Sequence, residues 1–253
     1  MAESRLGPED PPERTHPAPP AALDEHHHRD VQGGAARAAV FGMSDGLVSN
    51  LGLILGVAGA GPAPAVVRVA GLAGLVAGAI SMAAGEYNSM KVQSELLERE
   101  LELERRELRR NPEQETAELV TLYELRGMDP QQAREVAEVV MSDPDVALET
   151  HAREELGLDP EQLGSPTAAA TSSFAAFSLG ALVPLVPWFL TSGTPALVAS
   201  LIAAVVAAVA VGAAISRFTD RPLPRTVARQ VLFTLVPAAL TYAIGSAVGV
   251  NGI

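Results

Sequence analysis

The sequence predicts an all-α membrane protein: five transmembrane helices, with an acidic helical segment inserted between the second and third. Three observations carry this reading. The 253-residue chain is 48% hydrophobic yet has a net charge of −12, and the two properties are segregated along it. Residues 92–161 hold 20 of the 30 acidic residues and 8 of the 18 basic ones, a net of −12 equal to that of the whole chain. Outside that stretch lie five apolar runs near the length needed to cross about 30 Å of hydrocarbon at about 1.5 Å per residue. Finally, the chain has no cysteine, which removes disulfides and thiolate metal sites.

Residues 1–30 are Pro-rich and charged without an apolar core, so they read as a disordered tail rather than a signal peptide. Within them, the histidines of "DEHHHRD", His26–His28, read either as a loose metal lure or as a solvated tail. The first two spans, at about 38–60 and 66–90, make up a unit over 31–91. "GAGPAPA" between them can only be a tight turn. Residues 92–166 form the soluble acidic unit. Residues 167–253 carry the spans at about 168–190, 195–216 and 226–250, with Pro184, Pro187 and Pro237 inside them, which membrane helices tolerate. Arg29, Arg37 and Lys91 flank the first pair, and Arg217, Arg221, Arg225 and Arg229 lie between the last two. That bias places the N-terminus and the acidic unit in the cytoplasm and the C-terminus outside.

An acid deep in an apolar run costs roughly 2.5 kcal/mol or more on insertion scales. Asp45, in "VFGMSDGLVSNLGLI", is such an acid, flanked by Met43, Ser44 and Asn50. The small residues Gly42, Ser49, Gly52, Gly56 and Gly59 share its helical face, and Gly71, Gly74, Gly78, Ser81 and Gly85 form the same device in the second span. Asp45 is therefore expected to face other helices. It lies roughly 12 Å beyond Arg37, and Met82 roughly 13 Å before Lys91, so a carboxylate and a thioether arrive at similar depth. Together they suit a borderline divalent cation; the bland alternative makes Met82 packing filler. Met43 beside Asp45, and Glu86 near the end of the second span, complete the candidate pathway set.

The second span runs on as helix, without Gly or Pro, to Asn111-Pro112. Three short helices then open at Asn111-Pro112, Asp129-Pro130 and Asp143-Pro144. Leu119, Leu122, Val136, Val139 and Val140 are the expected core. Glu100, Glu104 and Glu107 share a face of the stalk, Glu115 and Glu118 form an E-x-x-E pair, and His151 precedes Glu154 and Glu155 by three and four positions. Carboxylates at such spacings can converge on one cation, and they can equally form a solvated face partnered by Arg105 and Arg109.

The motifs "RAAVFGMSDGLVSNLGLILGVAGA", "AGLVAGAISMAAGEY", a Glu-rich insert ending "EELGL", and "LGALVPLVPWFL" occur in that order. Over roughly residues 30–250 the chain resembles the vacuolar iron transporter family in its bacterial form. The resemblance implies a homodimer in the bacterial inner membrane that exchanges cytosolic Fe²⁺, or Mn²⁺, for protons. It places pathway residues on Asp45 and Met82 and metal-binding glutamates on Glu104, Glu107, Glu115, Glu118 and Glu155. It departs from some members at Gly74, Gly34 and Ala38, where they carry acids, and at His151, where a methionine is expected. The divalent metal is then cargo and ligand, with no prosthetic cofactor and no nucleic-acid partner. The first two helices of each subunit would line a central path, with the small-residue stripes forming the contacts. A membrane-anchored metal buffer or sensor is the alternative. No Ser/His/Asp set, phosphate loop or Glu-x-x-His pair points to an enzyme.

Overall fold

Among the described residues (34–155, 157 and 164–250) of a computed structural model, the secondary structure is helix and no strand occurs. The helices are α1 (Gly34–Gly59), α2 (Pro64–Arg110), α3 (Pro112–Leu125), α4 (Pro130–Met141), α5 (Pro144–Glu154), α6 (Pro166–Leu185), α7 (Pro187–Leu190), α8 (Gly193–Thr219) and α9 (Leu223–Val250). Helices α1, α2, α6, α8 and α9 are long and apolar enough to span a membrane. The expected spans are thus found, with one difference: the third is interrupted after Leu185. Pro187 has no N–H to continue the ladder, so α7 restarts as a separate turn. The His26–His28 cluster lies outside the described residues.

Helix α1 packs against α2, α6, α8 and α9, which explains why it is the most buried of the five. Its glycines allow these approaches. A Cβ at Gly42 would meet the backbone of Ser173 and Phe177 in α6, and one at Gly59 would meet Tyr242 and Ser246 in α9. The stripe read from the sequence therefore divides between neighbours instead of forming one contact. Contacts expected between subunits are made within the chain: Gly42 meets α6, Gly52, Gly56 and Gly59 meet α9, and Gly71 meets Leu185 and Ile54. Leu47, Leu51, Leu55, Ala204, Ala208 and Ala238 form the apolar centre between α1, α8 and α9.

Helix α2 has 47 residues and is about 70 Å long, more than twice the hydrocarbon thickness. Only its first half can lie in the membrane; the half bearing the glutamates projects beyond it. It closes at Asn111, whose N–H donates to the Glu107 carbonyl at 2.8 Å, and Arg109 and Arg110 sit favourably in its last turn. Pro112, Pro130 and Pro144 occupy the first turns of α3–α5. The Asp129 and Asp143 carboxylates cap α4 and α5 by accepting from the Gln131 and Asp145 N–H groups at 3.0 and 2.9 Å. Asn111 makes no such side-chain bond.

The α3–α4 core differs from the expected one. Leu119 is buried, and Leu122 and Val140 pack against it, but Tyr123, Ala133 and Ala137 complete the cluster. Val136 and Val139 face outward, Val139 with 72% of its surface exposed. The α4 face that packs runs through two alanines, so the bulkier valines on the adjoining face were the misleading signal.

Candidate metal centre and membrane cavity

Two sites emerge, one at each half of α2. The first lies where the projecting half of α2 meets α3 and α5. Glu104 and Glu115 flank the α2–α3 turn, while the capped α5 returns His151 and Glu155 to them. One ligand atom from each of these four residues lies within 4.8 Å of all the others. His151 Nδ1 stands 3.2 Å from Glu104 Oε1, 3.7 Å from Glu115 Oε2 and 3.5 Å from Glu155 Oε2. Glu104, Glu115 and His151 are buried and Glu155 is exposed.

The electrostatics of this cluster are unsatisfied. Burial, then repulsion from Glu155, Glu115, Glu107 and Glu118, pushes the Glu104 carboxyl up to about 7. Burial, then repulsion from Glu118, Glu107 and Glu155, also raises Glu115. Glu104 Oε1 sits at ion-pair distance from His151 without hydrogen-bond geometry, and it and His151 Nε2 are buried with no hydrogen-bond partner. Three carboxylates and an imidazole are a donor set for a borderline divalent metal, whose charge would relieve the repulsion.

The other predicted ligands divide. Glu107 and Glu118 are exposed but close enough to act electrostatically on Glu104 and Glu115. Glu118 also accepts from Gln114 Nε2 at 3.0 Å. Glu100 does not join the four. Glu154 stands apart from the four: it ion-pairs with Arg126, just past the end of α3. Arg105 partners Glu102, at 3.1 Å, rather than the cluster. A cleft of about 450 Å³ lined by Glu118, Leu122, Leu125, His151 and Glu155 opens onto the cluster.

The second site lies in the spanning half of α1 and α2. Asp45, Ser49, Asn50 and Leu53 of α1, Gly74, Gly78, Ser81 and Met82 of α2, and Phe177 of α6 line a cavity of about 240 Å³. Asp45 and Met82, paired on depth alone in the sequence, thus share one cavity. Among the described residues no hydrogen bond or ion pair reaches the Asp45 carboxylate; Ser49 Oγ donates instead to its backbone carbonyl, at 2.6 Å. Met82 also packs against the Phe177 cluster, so its filler and lining roles coexist.

Two candidates are placed elsewhere. Met43 lines a different groove, towards α6 and α8, because it is two residues from Asp45 and so on another helical face. Glu86 is held at 3.1 Å by Arg37, outside the cavity lining. Conversely, Asn50 appears in the sequence only as a neighbour of Asp45. Its residue is 2% exposed, its Nδ2 donates to the Ala181 carbonyl at 2.7 Å, and its Oδ1 has no partner. A Cβ at Gly74 would stand 2.9 Å from that oxygen. The available signal was the amide itself, five residues beyond Asp45 in a run that otherwise lacks one.

Over residues 36–246 the chain matches the model of the VIT family. It is 32% identical to "Vacuolar iron transporter 1" of Eucalyptus grandis over 231 residues, covering 89% of this chain and 92% of that protein. It is 41% identical over 167 residues to "Vacuolar iron transporter" of Acanthamoeba castellanii, covering 65% of this chain and 60% of that protein. It is 35% identical to "Vacuolar iron transporter 2" of rice over 181 residues, 70% of this chain and 73% of that one. The family match spans the whole of α2, and the chain belongs to the VIT family.

Proposed function

We propose that this protein moves Fe²⁺, with Mn²⁺ as a second cargo, out of the cytosol across a bacterial inner membrane in exchange for protons, working as a homodimer. The observation that carries the reading is the unpaired Asp45 carboxylate beside the Met82 thioether in a cavity of the spanning helices. Even a half-buried carboxylate without a cationic partner is costly among membrane-spanning helices unless a cation visits it. The relatives' names point to iron as the cargo.

In this mechanism the α2–α5 cluster concentrates ions from the cytosol. Glu104, Glu115, Glu155 and His151 hold a partly dehydrated ion, Glu118 hands it in and out through the adjoining cleft, and the exposed Glu107 adds to the attraction. Ion binding expels the proton that Glu104 holds near neutral pH, so capture is proton-linked at its first step. At the membrane cavity the ion sheds further water and rests on Asp45 and Met82, with Asn50 Oδ1 as a neutral oxygen nearby. When the ion leaves, Asp45 takes up a proton, which carries the counter-flow.

The test is uptake by proteoliposomes loaded with a metal-sensitive dye, comparing Fe²⁺, Mn²⁺ and Zn²⁺ with and without a pH gradient. Gradient-dependent Fe²⁺ flux that Asp45→Ala abolishes supports the reading. A second reading, an anchored metal buffer, is favoured by the fact that the four-residue cluster is complete without the membrane cavity. Metal binding without flux would select it.

A further inference from the structure

We propose that the arginine-bearing end of α8 is a binding site for an anionic phospholipid, with one acyl chain in the groove between α1, α6 and α8. The segment from Arg217 to Arg229 carries four arginines and one acid, Asp220, in a chain whose overall charge is −12. Elsewhere at this end of the bundle the cations are engaged: Arg37 with Glu86 and Lys91 with Glu95. Among the described residues, Arg217, Arg221, Arg225 and Arg229 make no ion pair, and all four are exposed. Four exposed guanidinium groups with one nearby acid form a strong anion field at the depth of the lipid headgroups.

The turn that presents them is fixed. Ser216 Oγ donates to the Arg221 carbonyl at 2.6 Å, and the Arg221 N–H returns to the Ser216 carbonyl at 3.2 Å. Asp220 takes a left-handed conformation, with φ of 50°, to make that turn. Just before it, Gly212 lets α8 close onto α9, where an added Cβ would sit 2.8 Å from Val227 Cα. The arginines are therefore held at the end of two clamped helices instead of on a loose loop.

The groove supplies the apolar half of the ligand. It has a volume of about 560 Å³ and is walled by Ala39 and Met43 of α1, Ala175 and Leu179 of α6, and Ala210 and Ala214 of α8. Alanines on all three helices leave a channel between the larger Val40, Met43, Leu179, Val211 and Ile215 side chains. Its direction is given by the α8 register: 210, 214 and 217 lie on one helical face, so Arg217 stands at the mouth where the alanine wall ends. Phe218 follows 211 and 215 on the adjoining face and is 67% exposed, as an aromatic at the headgroup level would be. A zwitterionic lipid would fill the channel equally well, but its ammonium would meet the arginines. The charge complementarity selects an anionic headgroup.

The test uses the full chain in detergent, with lipid retention read by native mass spectrometry and thermal unfolding read in parallel. Phosphatidylglycerol should be retained and should raise the unfolding temperature more than phosphatidylcholine, and inorganic phosphate should do neither. The double variant Arg217→Ala/Arg221→Ala should lose that preference, with at least about tenfold less phosphatidylglycerol retained. Ala210→Phe places a ring in the exposed wall and keeps every arginine, and should lose retention to the same degree. Undiminished phosphatidylglycerol retention by either variant overturns the proposal, as does equal retention of phosphatidylcholine by the wild type. Because the chain has no cysteine, Ala210→Cys is a clean probe. A disulfide-linked dimer from it would assign the groove to a second copy and also overturn the proposal.

Discussion

Around Asp45 the chain gathers one carboxylate, one thioether and one amide oxygen; around His151 it gathers three carboxylates, with two more at the rim. The difference follows from the solvent at each place. Beyond the membrane, Glu107, Glu118 and Glu155 are exposed to water, and the repulsion among the buried carboxylates is absorbed by protonating Glu104 near neutral pH. In the bundle no water shell is available, so one acid is close to what the helices can hold, and the remaining donors must be neutral. If an ion passes both places, as proposed, the site of many charges suits capture and the site of one charge suits release.

The sharpest way to break the comparison is to remove the lone acid. Asp45→Ala should reduce liposome flux to background while Fe²⁺ or Co²⁺ titration of the same protein still shows the α2–α5 site filled. Persistent flux would mean that the membrane cavity is not the resting place of the ion and that the contrast is accidental.

The second test uses pH. Glu104 titrates at about 7 when folded and near 4.5 when unfolded, so between those values the folded state binds more protons. The contribution of Glu104 to the stability of the metal-free α2–α5 region is therefore fully present below pH 4.5, falls as pH rises to 7, and levels off above it; Glu115 contributes in the same direction. The loss should be roughly 3 kcal/mol, because stability falls by about 1.4 kcal/mol for each pH step between the two values. Hydrogen exchange of α3–α5 in the full chain would read it, and saturating metal should cancel the slope. No slope would show that the carboxylates are already neutralised. Third, Glu104→Gln or His151→Ala should weaken metal binding about 10–100-fold. Flux at saturating metal should change far less, since the capturing site sets apparent affinity and the cavity sets transfer.

The two regions also differ in how far the sequence reveals them. The spans, the long stalk and the three proline-started helices follow from hydropathy and capping, both local signals. The convergence of Glu104, Glu115, His151 and Glu155 required the phase of three helices at once. Spacing on one helix could not tell Glu155, which converges, from Glu154, which pairs with Arg126. The same limit explains Met43, one helical face away from Asp45, and Val136 and Val139, which alternate with the alanines that pack. Asn50 escaped because an amide's importance here depends on what it lacks: a partner for Oδ1, across a glycine on another helix.

That oxygen gives the fourth test. Gly74→Ala would put a methyl 2.9 Å from Asn50 Oδ1 and force Leu53 aside, without touching the Asn50–Ala181 bond. If the cavity relies on neutral oxygen to supplement one acid, the KM for Mn²⁺ should rise a few-fold while the protein stays folded. An unchanged KM would leave Asn50 as helix glue only.

The smallest effect is expected at Arg37 and Glu86, and it bears most directly on whether the membrane region truly holds one acid. The pair joins α1 to α2 at the margin of the cavity, with N–O distance 3.1 Å. Arg37 is 62% exposed, so solvent screens the attraction and Arg37→Ala should cost at most about 1 kcal/mol of stability. Glu86, only 11% exposed, would then stand without its cation one helical turn from Met82. If Glu86 serves only as an anchor for Arg37, flux in Arg37→Ala should stay within about threefold of wild type, because the cavity and its acid are unchanged. If instead the variant binds metal more tightly and transports far more slowly, the freed carboxylate has become a second trap beside Asp45. That outcome would make Arg37 the residue that keeps the cavity singly charged, by neutralising an acid that the neighbouring helix cannot avoid presenting.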